Sequence, residues 1–151
     1  MKKQFDILRK TRELTLKFIS NLTLEQLHVI PVGFKNNIAW NLTHLLVTQQ
    51  LLHYRMSGND CLISEEMIQD FRKGTTPTYS LSEEELKKIK EDFLALPNRL
   101  EKDYNTDLFK SYKEYETSTG FVIDSMDTAI QFNNFHESLH LGIIMSLLKL
   151  V

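Results

Sequence analysis

His136 and His140 stand four residues apart in FHESLHLG, with Glu137 directly after the first. On a helix that spacing is one turn, about 5.4 Å along the axis, so both imidazoles can lean toward a single ion. The same letters spell the H-E-x-x-H pattern of zinc peptidases, in which two histidines bind the metal and the glutamate is the general base. A catalytic zinc usually takes three protein ligands and keeps a fourth position for water or substrate, so the third ligand decides the matter. A peptidase would supply it downstream, but the residues after His140, LGIIMSLLKLV, contain no His, Asp, Glu or Cys. The peptidase reading fails on ligand count.

The candidate third ligand lies upstream, in NNIAWNLTHLLV. His44 falls on a polar stripe with Asn37, Asn41 and Thr48 in an otherwise apolar segment, and Asn133, His136 and His140 form a matching stripe near the C-terminus. Polar groups buried without partners cost on the order of 1–3 kcal/mol each, so the two stripes are expected to face each other or a cavity. An ion held by His44, His136 and His140 would offset that cost. Glu137 lies about 100° round the helix from His136. It either flanks the cleft as a catalytic residue, orienting a ligand imidazole or moving a proton, or faces solvent. Asn41, Asn133 and Thr48 are candidates for contact with the ligands or a substrate, and equally for ordinary hydrogen bonds between helices. Trp40 is expected in the core. His28 reads as a surface or cleft-rim residue and His53 as structural or exposed. Cys61, the only cysteine, could be a soft ligand but reads better as a loop bystander.

Four amphipathic segments must position these side chains. The first, near 2–21, has Phe5, Leu8, Arg12, Thr15, Phe18, Ile19 and Leu22 on one stripe. The second starts at Asn36 or Asn37 as cap and runs to about residue 57, where Ser57-Gly58 stops it. The third begins at Ser82 with Glu85 three residues on, a reciprocal capping box, and Pro97 predicts a kink or a break within it. The fourth, about 127–150, carries His136 and His140. A short helix is expected around Ser64–Arg72 and a short extended piece at Phe121-Val122-Ile123. The pattern is all-α, a four-helix bundle in one domain spanning 1–151.

With 151 residues the chain can bury one real core and is short for two. A net charge of -2 supplies no field that would recruit nucleic acid or anionic lipid. The lone cysteine excludes an intrachain disulfide and suits a reducing compartment. The N-terminal stretch has no signal-peptide core and no run approaches a membrane span, so a cytoplasmic location without membrane or nucleic-acid partners is expected.

Asn37-Ile38-Ala39-Trp40 followed by Leu42 and His44, together with His136-Glu137-Ser138-Leu139-His140-Leu141-Gly142-Ile143, resembles the DinB/YfiT superfamily of metalloenzyme-like bundles. The order of the two motifs extends the resemblance over nearly the whole chain. It implies an up-down-down-up bundle, a three-histidine divalent metal site made by His44, His136 and His140, and a homodimer. After His140 the chain has Leu141-Gly142-Ile143-Ile144 where relatives often carry Arg and then Gly-Gln-Ile, so substrate contacts do not carry over there.

Three neutral imidazoles leave a divalent ion its full charge, and such an ion is a strong Lewis acid that can activate water or a thiol. Imidazole suits several metals, of which zinc or nickel is expected. Two function classes follow. One is a metal-dependent enzyme acting on a small molecule, a hydrolase or a transferase using a low-molecular-weight thiol. The other is a non-catalytic metal-binding or interaction module of the same fold.

Overall fold

The computed structural model describes residues 1–151. Six helices account for most of the chain: α1 (Lys2–Phe18), α2 (Leu24–His28), α3 (Ile38–His53), α4 (Glu65–Phe71), α5 (Glu83–Asn105) and α6 (Met126–Leu147). A single 3-10 turn, Arg55–Ser57, follows α3, and two-residue strands β1 (Tyr115–Glu116) and β2 (Val122–Ile123) pair antiparallel before α6.

The helix starts follow local chemistry. Asn37 Oδ1 accepts from the Trp40 amide at 2.8 Å, capping α3. Ser64 does the same for α4 through the Met67 amide. Ser82 and Glu85 form the reciprocal box on α5, and Ser125 with Thr128 forms another on α6. The ends are also local. Gly58, at φ 78°, takes the left-handed conformation that closes the turn after α3. α1 is shorter than the stripe suggests: it ends at Phe18, and Leu22 belongs to the turn before Thr23, which caps α2.

α5 runs unbroken through Pro97. Proline cannot donate to the carbonyl four residues back, Phe93 O, and that carbonyl instead accepts from Arg12 Nη1 at 2.9 Å. A side chain from another helix thus replaces the missing backbone bond and lets the helix continue.

The four long helices pack in a ring in which α1 and α3 each touch both α5 and α6. Paired positions give the directions. Arg9 meets Glu101 while Arg12 meets Phe93, so α1 and α5 are antiparallel. Gln4 meets Asn134 and Arg12 meets Glu137, so α1 and α6 are parallel. Gln49 approaches Leu96 and Tyr54 meets Asp103, so α3 and α5 are parallel. The course is up-down-down-up.

Two apolar clusters form the interior. One holds Leu42, Leu45, Leu46, Ile89, Phe93, Ile144 and Leu147, and the other Phe5, Leu8, Leu52, Leu100, Ala129 and Ile130. Each leucine, isoleucine and phenylalanine among them contributes about 1.5–3 kcal/mol by leaving water. In sequence, the buried polar residues Arg12, Gln49, Asn133 and Glu137 fall between the positions that make the two clusters, so they form a polar layer across the middle of the bundle. α3 is buried on nearly every side, because α2 and α4 cover the face the bundle leaves open. No helix is long and apolar enough to cross a membrane.

Candidate metal centre

α3 and α6 run antiparallel, and this brings His44 from the first half of α3 against His136 and His140 from the middle of α6. One potential ligand atom from each lies within 4.8 Å of the other two. Ring centroids are 4.5 Å apart for His136 and His140, 4.8 Å for His44 and His140, and 5.3 Å for His44 and His136. Nitrogens sharing a tetrahedral ion at about 2.0–2.1 Å are roughly 3.3 Å apart. Small ring rotations therefore suffice to bring the three together.

Two of the rings are held from behind. His44 Nδ1 donates to Phe71 O at 2.7 Å, a carbonyl at the C-terminal end of α4 that the helix itself leaves free. His140 Nδ1 donates to Asn41 Oδ1 at 2.7 Å. The Asn41 amide is oriented in turn, because its nitrogen donates to Asn37 O at 2.7 Å and Asn36 Oδ1 at 3.1 Å. A carbonyl only accepts, so both imidazoles carry their proton on Nδ1 and present an unprotonated Nε2. Metal-binding histidines are oriented by just this kind of outer hydrogen bond. Trp40 lies flat on His44, with centroids 4.6 Å apart and an interplanar angle of 8°, and its indole donates to Thr75 Oγ1 at 3.2 Å. Thr48 Oγ1 is 3.3 Å from His44 Nε2. The Nδ1 atom of His136 is buried and has no hydrogen-bond partner.

The electrostatics favour neutral rings. Burial pushes the His136 imidazolium down to about 3, with repulsion from His140 and His44 adding to it. Burial and His44 bring His140 down to about 4, and burial lowers His44. Neutral imidazoles, two with fixed tautomers and one with an orphaned nitrogen, are the form a divalent cation requires. The residues fit such an ion.

The chain belongs to the DinB superfamily. That family's sequence model matches residues 7–144, and those residues include all three histidines. None of the curated proteins is a significant match in sequence. Among solved structures, the chain is similar to a conserved protein of Enterococcus faecalis, with 15% identity and a TM-score of 0.66, covering 99% of this chain and 95% of that one. At that identity the likeness concerns the fold.

Glu137 is neither at the cleft nor in solvent. Its side chain is 0% exposed and is engaged by Arg12, whose Nε lies 3.0 Å from Oε1 and 3.2 Å from Oε2 and whose Nη2 lies 2.6 Å from Oε1. Asn133 Nδ2 approaches the same Oε1 at 3.4 Å, so Asn133 serves this pair rather than the histidines. Of the polar residues singled out in the sequence, Asn41 and Thr48 reach the site. His28 is a staple: its Nδ1 donates to Leu24 O and its Nε2 accepts from the Leu81 amide at 3.0 Å. His53 is fully buried, with Nδ1 donating to Gln49 O at 2.7 Å. Cys61 sits beyond α3 with its thiol toward Gln50 O, outside the histidine cluster.

Two participants escaped sequence reading. The Phe71 carbonyl is backbone, and no letter announces it. The aromatic group Phe121, Phe132 and Phe135, with mutual centroid distances of 5.3–6.0 Å, adjoins the centre through Phe132, 6.3 Å from the His136 ring. Phenylalanines at 132 and 135 could have flagged a shared face three residues apart.

Proposed function

We propose that this protein binds a divalent metal ion, zinc or nickel, through His44, His136 and His140, and that the site serves a small-molecule reaction of the thiol-transfer or hydrolytic kind. The observation that carries the reading is the convergence of three neutral imidazoles from two helices, without a thiolate or carboxylate to reduce an ion's charge. When bound, such an ion supplies a Lewis acid able to activate a coordinated water or thiol.

The chain's own residues do the rest. Phe71 O and Asn41 hold the His44 and His140 rings in one tautomer, and Trp40 fixes the plane of His44. Thr48 offers a hydroxyl beside His44 Nε2, able to hold a proton or orient a polar substrate group. The Phe121, Phe132 and Phe135 group gives the site an apolar flank suited to the carbon skeleton of a small substrate. Of the two reactions, transfer of a low-molecular-weight thiol is favoured. A thiol is the more acidic nucleophile, whereas hydrolysis gains from a general base, and Glu137, the acidic neighbour expected to serve as one, is held by Arg12. The same observation favours a second reading, a non-catalytic metal-binding module.

Purified without an affinity tag and loaded with zinc or nickel, the protein is expected to turn over thiol acceptors, and to lose that activity on chelation and in His44→Ala. Metal uptake with no turnover of thiol acceptors, esters or amides would favour the module. Equal metal content in wild type and His140→Ala would reject the site. A homodimer in a reducing, cytoplasmic setting accompanies the proposal. It is supported by the exposed apolar residues Ile7 and Leu14 on α1 and by the free Cys61, and light scattering on the purified chain tests the dimer.

A further inference from the structure

α6 faces a choice that apolar burial alone does not make. Phe135 and Leu139 on this helix are 43% and 51% exposed, while the polar Asn133 and Glu137 are wholly buried and His136 and His140 turn inward with them. A rotation that buried the two apolar side chains would carry the histidines away from His44. Something other than hydrophobicity must hold the helix in its observed orientation.

The group placed to do so is Glu137, one residue after His136 and three before His140. Its short side chain is gripped from α1 by Arg12 with both carboxylate oxygens engaged, a geometry that tolerates little turning of α6. Arg12 is itself fixed twice over, by Phe93 O at 2.9 Å and by the Phe93 ring, whose centroid lies 4.3 Å from its guanidinium carbon. Phe93 O is open to it because Pro97 cannot donate there. Arg12 therefore ties α1, α5 and α6 together at one point of the polar layer.

We propose that Arg12 and Glu137 are positioning residues for the histidine centre: their buried pair sets the rotation of α6 that turns His136 and His140 toward His44. A buried ion pair adds little to stability compared with apolar residues of similar size, and its best-attested use is to specify one arrangement among several. The proposal rests on the metal-binding reading for its affinity readout but not for its geometry.

The test is the double variant Arg12→Met/Glu137→Leu, which removes both charges together, so that neither is left buried without its counter-ion and only Phe93 O loses a donor. It is expected to keep its helicity and a melting temperature near or above wild type, yet to bind zinc roughly 10–100-fold more weakly in competition with a fluorescent chelator. In the metal-free protein it should lose the nuclear Overhauser contacts between the His44 and His140 rings. Arg12→Lys, which keeps a charge but not the two-oxygen grip, should fall between the two. A folded double variant with wild-type zinc affinity and intact ring contacts would overturn the proposal. Should the double variant not fold, Arg12→Lys decides alone, and wild-type ring contacts in it would overturn the proposal. Should wild type itself bind no zinc, the metal reading fails and the ring contacts still decide.

Discussion

Two polar constellations interrupt an otherwise apolar interior, and they differ in how their valences are met. In the Arg12–Glu137 pair, both carboxylate oxygens are taken by the guanidinium, which has a backbone carbonyl of its own. In the histidine centre, the outer nitrogens of His44 and His140 are held, while their inner nitrogens converge with a ring whose Nδ1 has no partner at all. An unmet valence alone does not mark a ligand site, because Gln49 Oε1 and Asn133 Oδ1 are also buried without partners; what sets the histidine centre apart is three imidazoles converging on one point. The lesson is that an acidic residue beside two histidines is not chemistry until its own partners are known.

The contrast is broken most severely at Arg12. Arg12→Ala leaves Glu137 buried without its partner and should cost about 3–5 kcal/mol of unfolding free energy, read by denaturant titration. His140→Ala should leave metal-free stability within about 1 kcal/mol of wild type while lowering metal uptake well below wild type. Equal destabilisation by the two would erase the distinction.

Acid sharpens the comparison from the other side. Burial, with the Arg12 charge nearby, outweighs the backbone groups of Gln49 and Ala129 and brings His53 down to about 4 in the folded protein. Its folded value lies below its unfolded one, so the unfolded chain binds more protons between the two and stability falls as the pH falls. The contribution is complete above about pH 6.5 and drains away toward pH 4, on the order of 3 kcal/mol for this residue. His53→Gln should flatten that part of the stability profile, and an unchanged profile would contradict the assignment.

Smaller effects belong to the groups behind the ligands. Asn41→Ala frees His140 Nδ1 and should weaken metal binding by about 10-fold with little change in melting temperature, measured by chelator competition. Thr48→Val keeps the shape and removes the hydroxyl. It should leave metal affinity within about threefold and act, if the site is catalytic, on turnover.

How much was legible follows from where the information sits. Asn37 and the Ser82/Glu85 box cap their helices as the sequence indicates, because capping uses neighbours in the chain. The clustering of the histidines was legible because two of them share one turn of a helix and the third lies on a polar stripe of an otherwise apolar helix. The role of Glu137 was not, since its partner lies 125 positions away in α1 and the sequence offers no pairing rule for it. Arg12 on an apolar stripe was the available signal. Pro97 predicted a kink or break because the replacement donor to Phe93 O comes from another helix. The Phe71 carbonyl has no letter of its own.

The central claim is that three imidazoles from α3 and α6 share one ion, and X-ray absorption on zinc- or nickel-loaded protein counts them. Scattering from three imidazoles with one or more light-atom ligands, reduced to two in His44→Ala, is the predicted result. Sulfur from Cys61 in the first coordination shell, or a spectrum unchanged by loss of His44, would contradict it.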